Sequence, residues 1–245
     1  MSADETAPGK AIWRQPALWW RLVIVLAGGF GLTFETSSLV YFTVQSNLLV
    51  FGYFVGAVYW MLRRRAMVTP APRLHGGVVL WIVITGLVAH ILLNHGANPL
   101  PGLVHAPDLW VNWTAFALHY VVPVMVLVDW VLFSPRRAVS WRHIPLWLAY
   151  PLGYGLVALA RAALYPDFEN PYPYYFLDPR TNGYLWVVGQ FGILTVEFAV
   201  LAAIVVLLNR VTGRAPAEPV STAATRAPGS EGGVAAVGRP TSVAP

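Results

Sequence analysis

The sequence predicts an all-α fold, a polytopic membrane protein built as a six-transmembrane-helix bundle. Three observations lead there. Hydrophobic residues make up 57% of the 245-residue chain, and the mean hydropathy is +0.57. Charged residues make up only 11%, less than half of what a soluble domain uses to coat its surface. Six apolar stretches reach the roughly 20 residues that cross about 30 Å of hydrocarbon. This balance excludes a soluble enzyme, a DNA-binding domain and a disordered regulator.

The six stretches lie near 17–34, 39–62, 76–93, 110–133, 144–165 and 184–208. The first carries Arg21, which is expected to snorkel to the interface. It also carries Gly28, Gly29 and Gly31, as the fifth carries Gly153 and Gly155; small residues let membrane helices approach closely. Residues 17–210 thus form the transmembrane domain, behind a cytoplasmic N-terminal segment, 1–16. Residues 211–245 are rich in Ala, Pro, Gly, Ser, Thr and Val without helical period, and are expected to form a disordered cytoplasmic tail. The first apolar run begins late and leads into further spans, which predicts a multi-pass inner-membrane protein without a cleavable signal peptide.

Loop charge sets the expected orientation. Lys10, Arg14, Arg21, Arg63, Arg64, Arg65, Arg73, Arg136, Arg137, Arg142, Arg210 and Arg214 fall on one side, and Arg161 and Arg180 on the other. That bias puts both termini in the cytoplasm and explains the basic pI without nucleic acid. Topology and anionic-lipid contact are the expected reasons for all these arginines. Trp19, Trp20, Trp60, Trp110, Trp130, Trp147, Tyr184 and Trp186 sit near span ends, where interfacial anchoring is expected. There is no cysteine, so disulfides, thiolate metal sites and cysteine nucleophiles are excluded.

Polar groups inside the spans need a reason, because hydrocarbon penalises them. Thr43, Ser46 and Asn47 share one face of the second span, and Gln45 lies in the same turns. His90 and Asn94 share a face late in the third. Asn112, Thr114 and His119 follow in the fourth, Arg161 ends the fifth, and Gln190 and Glu197 share a face of the sixth. All fall in the outer half, while the inner half is mostly aliphatic apart from Asp129. This predicts a polar cavity open toward the outer leaflet. A bond to the i−4 carbonyl explains Thr43 alone, and helix-joining hydrogen bonds explain Asn47 and Gln190; shared depth is what raises them as a set. A histidine zinc site from His90, His95, His105 and His119 has no ligand spacing behind it. No cofactor or metal is expected.

Three segments carry a resemblance. They are Tyr41-Phe42-Thr43-Val44-Gln45-Ser46-Asn47-Leu48-Leu49, Leu118-His119-Tyr120-Val121-Val122-Pro123 and Tyr172-Pro173-Tyr174-Tyr175-Phe176-Leu177-Asp178-Pro179. With Asp129-Trp130 and Arg161 they resemble the bacterial Pr6Pr family of six-span membrane proteins, over roughly residues 19–210. That family is more distantly similar to the androgen-induced and androgen-dependent (FAR-17a-like) membrane hydrolases of fatty acid esters of hydroxy fatty acids. The resemblance implies a Thr nucleophile at Thr43 and a His base at His119. The eukaryotic pattern has Leu before the proline where this chain has Val122. Gln45, Asn47, Asn112, Arg161, Gln190 and Glu197 are then candidate substrate or oxyanion contacts. A lipid ester or fatty acid is the expected ligand, with membrane lipids the surrounding partners. The alternative is a non-enzymatic lipid-binding or small-molecule transport protein using the same polar cluster.

Overall fold

The computed structural model describes residues 12–33, 39–65, 70–105, 108–168 and 170–212. The expected tail, apart from residues 211 and 212, and most of the expected N-terminal segment lie outside the described residues. Six helices are long and apolar enough to cross a membrane: α1 Pro16–Thr33, α2 Phe42–Arg64, α3 Pro72–Leu93, α4 Leu109–Phe133, α5 Trp141–Leu164 and α6 Pro179–Val211. Among the described residues there is no strand. The chain is an integral, multi-pass membrane protein.

Local chemistry places most of the helix ends. Pro72 and Pro179 sit at first-turn positions, where a missing N–H is harmless. Asp108 caps α4 by accepting from the Val111 amide at 3.2 Å. Gly183, at φ +78°, breaks the start of α6, so the regular helix resumes at the predicted residue 184. The third span begins at Pro72, four residues earlier than expected, and the small pair Gly76-Gly77 lies inside the helix against Trp147.

α3 is the centre of the bundle and packs on α2, α4, α5 and α6, while α1 packs on α2 and α4. Close approach depends on glycine at two places near the later site. A Cβ on Gly31 would lie 2.4 Å from Leu118 Cδ2, and one on Gly86 would lie 3.0 Å from the His119 carbonyl oxygen. Gly155, expected to allow close approach, faces Phe191 in this way, whereas Gly153 has open space around it.

One end of the bundle is tied by hydrogen bonds from α4, α5 and the 134–140 turn: Trp130 Nε1 to Val205 O, Trp147 Nε1 to Arg73 O and Arg136 Nε to Arg210 O. We call it the arginine-rich end. The expectation that Trp130 and Trp147 are interfacial anchors is corrected. Both are buried, and each indole N–H bonds a carbonyl of another helix. Trp19, Trp60, Trp110 and Tyr184 are exposed as expected.

Arg21 is a second correction. It does not snorkel; it is fully buried, with Nε 3.0 Å and Nη2 3.4 Å from the Asp129 carboxylate. His75 Nε2 lies 3.5 Å from the same carboxylate, at ion-pair distance without a hydrogen bond. Its Nδ1 is 3.3 Å from Ser134 Oγ, and its ring stacks on Tyr53 at 4.8 Å. The half of the bundle expected to be aliphatic thus holds a sealed polar core, in which the Asp129 charge is matched by Arg21.

Candidate active site

At the opposite end, the first turn of α2 meets the middle of α4. Thr43 Oγ1 lies 3.2 Å from His119 Nε2. The other ring nitrogen, Nδ1, lies 2.8 Å from the Ala115 carbonyl. A carbonyl can only accept, so Nδ1 carries the proton and Nε2 presents a lone pair. The Thr43 hydroxyl therefore donates to Nε2. A backbone carbonyl here fixes the imidazole tautomer, the task a carboxylate performs in a Ser-His-Asp triad.

The sequence explains why His119 can turn this way. Pro123 has no N–H for the His119 carbonyl, and its ring crowds that carbonyl. The helix widens just before it: Ala117–Val121 is a π-segment, and the Val122 amide bonds Ala117 O, five residues back. A matching π-segment, Val88–Leu93, stands opposite in α3 and carries His90, whose Nδ1 lies 3.3 Å from the Tyr120 hydroxyl. Such segments are frequent at functional sites.

Neighbouring groups hold the pair in register. Buried Asn47 donates through Nδ2 to the Thr43 carbonyl at 2.9 Å and to the Leu118 carbonyl at 3.3 Å. Ser46 Oγ donates to the same Thr43 carbonyl at 3.1 Å and lies 2.7 Å from Thr85 Oγ1. Thr43, Ser46 and Asn47 do share a face, but Asn47 is a clamp. Both its N–H groups are committed to carbonyls, so it has no donor for an oxyanion.

Other nominated residues divide. Asn112 lines a hollow with His119, Asn94 and Tyr120, while its own Nδ2 bonds Asp108 O at 3.0 Å. Gln45 turns away from His119: its Nε2 bonds Leu39 O at 2.6 Å and its Oε1 accepts from Tyr150 at 3.1 Å. Gln45 and Arg161 both line a separate groove that includes neither Thr43 nor His119. Gln190 and Glu197 line none of these hollows. α6 presents Phe191, Leu194 and Phe198 inward instead, and Glu197, one position round the helix, is exposed. Among the described residues no three His, Cys, Asp or Glu side chains gather as a metal site.

Tyr174 is the residue that sequence reasoning did not nominate, though it stands in the third quoted segment. Its buried phenol stands beside Thr43 and Phe42 at the α2 N-terminus. Burial pushes that phenol up from its ordinary range, and the polar surroundings at Thr43 and Phe42 offset part of the rise. A neutral O–H and first-turn amides beside Thr43 are the donors a tetrahedral oxyanion needs.

Thr43 borders a narrow apolar cavity walled by Ile84, Val88, Leu152, Phe176, Phe191 and Phe198 among others. His119 borders the hollows on its other side, with His90, Asn94, Asn98, Asn112 and Tyr120. Among the described residues no Arg, Lys, Asp or Glu lines any of these three spaces. The pair therefore stands between an apolar chamber and a neutral polar one. Compared with protein-family models, with curated proteins and with solved structures, the chain gives no match.

Proposed function

We propose that this membrane protein hydrolyses neutral lipid esters, with Thr43 as nucleophile and His119 as general base. The carrying observation is the 3.2 Å Thr43–His119 contact, with the imidazole oriented by Ala115 O. A Thr hydroxyl is a weak nucleophile without such a base. The resemblance to the Pr6Pr and FAR-17a-like families supports the same two residues.

In this reading Thr43 Oγ attacks the ester carbonyl carbon while its proton passes to His119 Nε2. Tyr174 and the α2 amides stabilise the oxyanion. Collapse breaks the bond to the alcohol oxygen, which takes the proton back from Nε2 and leaves as the free alcohol. Water then adds to the acyl-threonine by the same route, freeing the fatty acid and restoring Thr43. The acyl chain occupies the apolar cavity; the alcohol part occupies the hollows beside His119. The lining residues described at these spaces carry no Arg, Lys, Asp or Glu, which favours uncharged leaving alcohols. By the distribution of arginines, the site end faces outward and the arginine-rich end the cytoplasm.

The test is turnover of a panel of long-chain esters by purified protein beside Thr43→Ala and His119→Ala forms of unchanged helicity and melting. Activity lost in both supports the reading. Activity retained in either sinks the pair as catalyst, and a wild type inert toward every ester favours the binding or transport alternative.

A further inference from the structure

Arg161 lies in the last turn of α5, half-buried. Its Nη2 donates to the Asn170 carbonyl at 2.9 Å and the Pro171 carbonyl at 2.8 Å, and its Cζ lies 5.7 Å from the Phe168 ring centre. Its Nε is buried with no hydrogen-bond partner among the described residues. Among the described residues no carboxylate lies within ion-pair distance of it; the ion pairs there are Arg21–Asp129, His75–Asp129 and Arg180–Asp178. Neutral carbonyls satisfy two N–H groups but leave the positive charge unmatched where burial makes it costly.

A groove runs away from this cation along the outside of α5. Ala149, Gly153, Val157 and Arg161 recur every fourth residue, so they form one ridge of the helix, and all four line the groove. Twelve residues at 1.5 Å each make it about 18 Å long, the reach of a long acyl chain. Gly153 leaves open space at its middle. Leu39 and Val40 add apolar wall, and the polar group there, Gln45, is already bonded to Leu39 O and Tyr150. A cation above an acyl-sized apolar track fits an anionic amphiphile.

We infer that this groove binds a long-chain fatty acid, with its carboxylate on Arg161 and its chain along Val157, Gly153 and Ala149. Tyr154 lines the groove on one side and the Thr43 cavity on the other. A fatty acid released at Thr43 therefore has the groove one aromatic ring away. The choice of a carboxylate over a phosphodiester head rests on the hydrolase reading; the anion site does not.

The experiment is equilibrium binding of radiolabelled oleate to the purified full chain in neutral detergent. Wild type should bind saturably, and Arg161→Gln should bind about tenfold or more weakly, with Arg161→Lys between them. On wild type alone, oleyl alcohol and phosphatidylglycerol should compete at least about tenfold less well than oleate. That comparison decides the matter even if Arg161→Gln does not fold. Equal binding by Arg161→Gln, or equal competition by oleyl alcohol, overturns the inference. Displacement by phosphatidylglycerol at oleate-like concentrations overturns the fatty-acid assignment. Ester turnover is measured on the same preparation, so Arg161-dependent oleate binding without turnover upholds this site while removing the proposed activity.

Discussion

Thr43 and His119, 76 residues apart in sequence, meet at 3.2 Å between Oγ1 and Nε2. If they act as one unit, their losses will not add. Thr43→Ala, His119→Ala and the double variant should each lower ester turnover by about 10²–10⁴-fold, the double being no worse than the worse single. Thr43→Ser, which keeps the hydroxyl, should retain measurable turnover. Steady-state kinetics on the four variants checks this.

Asn47 should matter as a clamp. Asn47→Leu removes the amide bridge between Thr43 O and Leu118 O, leaving the latter without its side-chain donor. A loss of about 1–3 kcal/mol is expected. A thermal melt in detergent reads that loss. Turnover should fall through kcat more than KM, since the pair loses alignment and no ligand contact is removed.

Gly86 tests the seat of the π-segment. A β-carbon there meets the His119 carbonyl oxygen at 3.0 Å and Pro123 Cβ at 3.2 Å. Gly86→Val should push α3 and α4 apart, costing about 1–3 kcal/mol by overpacking. Turnover should fall further than for Gly52→Val, whose site has open space in the structure.

The Arg21–Asp129 pair should be a stability element with no direct part in turnover. Asp129→Ala leaves Arg21 buried without that carboxylate and should cost about 3–5 kcal/mol. Replacing both, Arg21→Met with Asp129→Leu, should recover much of it, because the desolvation penalty goes with the charges. A double-mutant cycle on unfolding measures the coupling.

Tyr174 gives a pH signature. Its folded phenol titrates above the ordinary value of 10.0, chiefly through burial. A raised folded pKa means the contribution is full below the unfolded pKa and lost as pH rises from there through the folded pKa. Stability of the wild type should therefore fall above about pH 10 more steeply than that of Tyr174→Phe. Melting temperatures between neutral and strongly alkaline pH compare the two forms. Tyr174→Phe should also lower kcat at neutral pH by removing an oxyanion donor.

The sequence revealed the spans because hydrocarbon imposes length and apolarity on each segment independently. It revealed the shared face of Thr43, Ser46 and Asn47 because helical spacing is local. It could not assign Asn47 as a clamp, because Leu118 O lies on another helix. Arg21 read as a snorkelling residue for the same reason: Asp129 is 108 positions away. Gln190 and Glu197 were nominated by depth, but rotation about α6 decides exposure, and the aromatic and aliphatic positions beside them won the interior. Tyr174 carried no intramembrane signal, since it lies in a connecting segment that the fold buries. Pro123 was a readable cue that the backbone before it is irregular.

The central claim is that Thr43 forms an ester with the acyl group. The direct measurement is acid-quench of purified protein turning over a long-chain p-nitrophenyl ester, followed by peptide mass mapping. The account predicts the acyl mass on the Thr43 peptide, fragmented to Thr43 itself, and its absence in His119→Ala. Steady release of p-nitrophenol, with Thr43 unmodified at every quench time and turnover intact in Thr43→Ala, would contradict it.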